Sequence, residues 1–166
     1  MQSSEYGPRL FKYYAWTAFM NAILAIIITL PIFVEGWNMS RVIAGGSAGT
    51  WLTVGYIMFF IVGVAMILLC GIIYHVISNV SKRGIFSFRL GLAELLLLEI
   101  SVLGTCLGLY YFGFVGGQML IAKKPIPEVH EFLVQFVQPA AVFISIGLIG
   151  AVLGLINYAV SMTKTK

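Results

Sequence analysis

Four runs of the chain each exceed the ~20 mostly apolar residues that a membrane-crossing helix needs. They are Leu10 to Val34, Trp51 to Ser78, Leu90 to Val115 and Phe132 to Val160. No other feature constrains the fold so tightly. Inside lipid every backbone N–H and C=O must be satisfied within the protein, so runs of this kind become helices. The expected fold is all-α: an integral membrane four-helix bundle, a tetraspan, forming a single transmembrane domain over residues 1–166. The charge content agrees. Only 10% of the residues are charged, where soluble domains carry about 25%.

The segments between the runs are short. GWNMSRVIAGGSAGT is rich in Gly and Ser, SNVSKRGIFSF is a basic turn, and GGQMLIAKKPIPEVHE carries Gly, Lys and two prolines. The Lys and Arg residues in short loops set orientation. Arg9, Lys12, Lys82, Arg83, Arg89, Lys164 and Lys166 fall on one side, and Arg41, Lys123 and Lys124 on the other. Seven against three predicts both termini in the cytoplasm and a multi-pass protein of the plasma membrane. The polar start MQSSEYGPRLFKYY runs into the first apolar stretch without a small-residue cleavage site, so the first helix is expected to be retained. The net charge of +4 is spread over loops and ends, which argues against nucleic acid as a partner.

Before the fourth run, Val129, Phe132, Leu133, Phe136 and Val137 recur at helical spacing, with Glu128, Glu131, Gln135 and Gln138 elsewhere. This reads either as an amphipathic segment lying on the outer surface or a partner, or as the wet end of a tilted span. Pro139 is expected to kink the helix. Gly104 and Gly108 form a GxxxG in the third run, and Gly150 and Gly154 another in the fourth. Lipid tails are as apolar as Leu, so small residues that bring backbones together drive helix association more than burial does. The pattern predicts a tight bundle with a partner-facing seam, toward either another copy or another protein. The expected partners of the chain as a whole are other integral membrane subunits, in a hetero-oligomer embedded in the lipid bilayer.

The stretch LAELLLLEI places Glu94 and Glu99 inside the third run. A charge at the bilayer centre costs at least ~2.5 kcal/mol and calls for a partner or water. With the preceding turn centred near Arg83, His75 lies level with position 91, and Glu94 about 4.5 Å deeper. His75 and Arg89 are therefore the expected partners of Glu94. Glu99 lies deeper, with no basic residue at its level. The two acids are five positions apart, roughly 140° around a helix, so they share no face and form no two-carboxylate site. Structural pairing is the leading reading of both, and a proton or ligand role the other.

Cys70 and Cys106 are expected to lie about 15 Å apart along the bundle, too far for a disulfide. His75 and His130 fall at opposite faces and cannot share a haem or metal. The chain has no nucleophilic triad, phosphate loop, CxxC or zinc spacing. The expectation is therefore no resident cofactor or metal, no catalytic residue, and no catalysis by this chain alone.

One stretch carries a resemblance. Thr53-Val54-Gly55-Tyr56-Ile57-Met58-Phe59-Phe60 resembles the haem-binding helix of haem-copper oxidase subunit I, which reads Thr-His-Gly-x-Ile-Met-x-Phe. With Tyr14, Trp16, Glu35 and the Gly-rich loop before it, the resemblance covers residues from Lys12 to Val64. The family's haem-ligating His falls at Val54, whose isopropyl group cannot bind iron, and the family has many more spans and histidines. The resemblance therefore implies a cofactor-free relative that keeps a helix-packing surface. The leading expectation is an accessory, structural subunit of a multi-subunit membrane redox complex, either a terminal oxidase or a membrane-bound copper monooxygenase such as an ammonia or methane monooxygenase. The alternative is a small transporter or proton-conducting protein using Glu94 and Glu99, with His75, Tyr74 and Asn157 as further polar steps. A bare tetraspan scaffold is the third reading.

Overall fold

The computed structural model describes residues 6–163, and every element in it is helical. Four helices are long and apolar enough to cross a membrane: Tyr6–Phe33, Gly46–Val80, Phe88–Ile121 and Ile126–Thr163. They are the first to fourth spans below. The protein is a membrane protein built on these four helices. A short helix, Met39–Ile43, lies in the first connection.

Each span begins earlier than its apolar run. The second starts at Gly46 inside GGSAGT, a stretch whose composition reads as loop. Gly46 takes a left-handed φ of 61° and turns the chain back from the short helix, a conformation that a side chain would strain. The third span continues through Gly116 and Gly117, which face Leu133 and Val42. Poor helix propensity is overridden here because a missing side chain lets a neighbour approach.

The third span divides its neighbours. Its first part, Phe88–Val102, packs along the fourth span, while Gly108–Ile121 packs along Gly46–Met58 of the second. The first span lies against Ile67–His75. Three stretches are wound wide as π-helix: Phe59–Met66, Val76–Val80 and Leu103–Leu107. Such turns shift backbone carbonyls out of the regular ladder and recur at functional sites.

The amphipathic stretch is its own helix, Ile126–Val134. Its buried residues, Val129 and Leu133, pack on Ala48 beside Trp51 and Phe112 of the same chain. The helix breaks at Gln135–Phe136, and the next begins at Val137. The kink expected at Pro139 thus falls before it. A proline ring clashes with the carbonyl four residues earlier, here that of Gln135. Pro139 itself sits in a first turn, where its missing N–H costs nothing.

The GxxxG glycines face inward. Gly104 abuts Phe143, Gly108 abuts Phe136, Gly150 lies against Leu97 and Gly154 against Glu94. These contacts join the third and fourth spans to each other, so both motifs are occupied within the chain.

Candidate functional site

The most polar part of the interior is a hydrogen-bonded ring around Glu94, which is 2% exposed. Tyr74 of the second span donates to Glu94 Oε2 at 2.7 Å. Tyr158 of the fourth donates to Oε1 at 2.6 Å. Both carboxyl oxygens are therefore engaged. Asn157 donates to the Tyr74 hydroxyl at 2.8 Å and to the Ser87 carbonyl at 2.9 Å. Its Oδ1 accepts from the Ser87 N–H at 3.0 Å. One turn on, Ser161 Oγ accepts from the Phe86 N–H at 2.8 Å and donates to the Asn157 carbonyl. Tyr14 of the first span donates to the Gly91 carbonyl at 2.9 Å, and its ring lies 5.6 Å from that of Tyr74.

Sequence spacing explains why these groups meet. Asn157 and Ser161 are four apart and share a face of the fourth span. Tyr158 is next to Asn157 and reaches over the adjoining face. The space for the carboxyl group comes from Gly154, because a Cβ there would overlap Glu94 Oε1. At ~1.5 Å per residue Glu94 lies about 9 Å from the start of its helix. A buried carboxyl must be fully hydrogen-bonded to be tolerated there. The ring meets that demand, and in doing so ties the second, third and fourth spans and the connection at Phe86–Ser87 into one unit.

The expected ion-pair partners stand elsewhere. His75 is half-buried, with its ring 5.1 Å from that of Phe11 and its Nδ1 3.1 Å from the Asn79 amide nitrogen. Arg89 is exposed and in no salt bridge among the described residues. Reflecting one hairpin about its turn leaves out the fourth span, and the fourth span brings Tyr158 and Asn157.

Glu99 is separate, as the 140° offset requires. Its Oε2 accepts from Asn21 Nδ2 of the first span at 3.0 Å. That same amide donates to the Gly63 carbonyl, at 2.8 Å, inside a wide-turn stretch. Asn21 was not singled out by sequence, although a lone amide in an apolar run was signal enough. Tyr158 and Ser161 were also missed, hidden among interfacial residues near a span end.

Cys70 and Cys106 are buried and unbridged. Val54, at the place of the oxidase haem ligand, points outward and is 43% exposed. Gly55 beside it lies against the backbone of Cys106 and Tyr110. An apolar groove of about 230 Å³ runs between Met58, Met66, Ser101, Thr105, Gly147 and Ala151. Within it the Thr105 hydroxyl is buried without a hydrogen bond. Among the described residues, no three His, Cys, Asp or Glu side chains converge. The chain matches no known family model, no curated protein and no solved structure.

Proposed function

We propose that this chain is a structural subunit of a multi-subunit membrane complex, holding partner subunits in place through helix packing rather than carrying chemistry. The observation behind this reading is the Glu94 ring. A carboxyl whose hydrogen bonds all run to other helices of its own chain acts as a cross-link between them. Both Glu94 oxygens are held by tyrosines, and the carboxyl group lies against Gly154 of the fourth span. The most deeply buried acid is thus a clamp between helices. The resemblance at Thr53–Phe60 supports a redox complex, a terminal oxidase or copper monooxygenase whose haem or metal sits in other subunits. The excess of Lys and Arg at the Arg9, Lys82 and Arg89 end supports cytoplasmic termini in the plasma membrane.

Purification in mild detergent tests this. The tagged chain is expected to carry other integral membrane proteins with it, and that assembly to show haem absorbance or bound copper. Recovery as a lone monomer overturns the subunit reading. A complex free of redox centres overturns only the redox class.

Proton conduction is the second reading, and Glu99 favours it, because that carboxyl has a single hydrogen bond among the described residues. Proton flux in liposomes that disappears in Glu99→Gln would establish it.

A further inference from the structure

We infer that the seam between the first and third spans at Glu99 seats a transmembrane helix of another subunit, and that this helix presents a basic side chain to Glu99 Oε1. The inference rests on the subunit reading above and gives it a place on the molecule.

Glu99 lies eleven residues into the third span, about 16 Å from Phe88 at ~1.5 Å per residue. With a 34-residue span centred on a ~30 Å hydrocarbon layer, that depth is inside the layer. Only Oε2 is hydrogen-bonded, and Oε1 has no partner among the described residues. The first span cannot supply a second bond from Asn21, whose amide is already shared between Glu99 and the Gly63 carbonyl. Lys12, Arg9, Lys82, Arg83 and Arg89 form no ion pair with it, the sole salt bridge among the described residues being Lys124–Glu128. Arg89 is ten residues away, roughly 15 Å along the same helix. His75 is beside Asn79.

Glu99 is also at a rim. Leu95, on one side of it, is buried, while Leu96 and Ile100 on the other are 62% and 47% exposed. Lipid tails offer that rim no hydrogen-bond donor. An intramembrane carboxyl faces the protein interior or water and pairs with another polar group, an opposite charge being the partner that matches an ionised acid. Contrast within the chain sharpens the point: Glu94 receives a donor on each oxygen, and Glu99 receives one donor in total. The missing donor is the chemistry that would select the partner helix.

The test uses the complex drawn from native membranes through a tag on this chain. Glu99→Gln keeps the shape and the Asn21 contact but removes the charge. It is expected to cut the retained partner at least about tenfold, while the chain alone stays monodisperse with a wild-type melting profile. Should Glu99→Gln fail to fold, Ile100→Trp adds bulk on the exposed rim and is expected to give the same loss. A hydrophobic carbodiimide gives an independent readout. It is expected to label Glu99 only after the partner is stripped by harsher detergent, and to leave Glu94 unlabelled in both states. Full partner retention in both variants, or equal labelling of Glu99 in the complex and the stripped chain, overturns the docking seat and leaves the subunit reading standing. A wild-type chain that brings down no partner overturns both.

Discussion

Gly154 sets the geometry of the buried carboxyl, and a single methyl group tests that role. Gly154→Ala pushes a Cβ into the Glu94 carboxyl group, which can give way only by loosening its bonds to Tyr74 and Tyr158. Overpacking of this kind costs about 1–3 kcal/mol, so a clear fall in the melting temperature in detergent is expected. Gly36→Ala, with open space around it, is expected to leave melting unchanged. The two tyrosines supply a finer test. Side-chain hydrogen bonds between membrane helices are worth about 0.6 kcal/mol on average and up to ~1.7. Tyr74→Phe and Tyr158→Phe should each cost that order. In a double-mutant cycle they are expected to be non-additive, because both hydroxyls serve the same carboxyl. Glu94→Leu should cost more than either, leaving Tyr158 and Tyr74 without their acceptor.

At the scale of the element, Pro139 offers the cleanest experiment. Pro139→Ala restores an N–H and removes the ring that disfavours helix at Gln135. Slower amide hydrogen exchange at Phe136 and Val137 is expected, and unchanged exchange would mean that side-chain packing alone sets the break. The same break shows what sequence can convey. Proline announced a discontinuity, and its i−4 clash, rather than its own position, fixed where it falls. The four spans were legible because hydropathy over ~20 residues is an averaged quantity. Their ends were not, because GGSAGT and Gly116–Gly117 become helical only through neighbours such as Val42 and Leu133. Glu94 and Glu99 were correctly separated by angle, a local property of one helix. Their partners were not legible, because Tyr158, Asn157 and Asn21 come from helices more than 60 residues away in sequence. Wide turns added a further obstacle. Each one rotates the face that follows it, so a 3.6-residue period cannot be carried through Phe59–Met66.

The whole molecule presents two ends of different character. One carries Arg9, Lys12, Lys82, Arg83 and Arg89, the other Arg41 and the Lys124–Glu128 pair. Cysteines placed at Arg83 and Lys124 are expected to react with a membrane-impermeant maleimide from opposite sides of the membrane, Arg83→Cys from the cytoplasm. Cys70 and Cys106 are buried and should stay silent. Labelling of both sites from one side would overturn the four-span topology. The Glu94 ring, finally, has a consequence for how the chain is made. Helices leave the ribosome in order, so the third span with its acid reaches the membrane before the fourth exists. Until Tyr158 and Asn157 arrive, Glu94 has only the hydroxyl of Tyr74. The fourth span thus caps a polar group left by the third, and a nascent chain stalled before Ile126 carries a half-satisfied carboxyl. Such truncated chains are expected to be cleared rapidly in pulse-chase experiments. The same truncation carrying Glu94→Leu should persist longer.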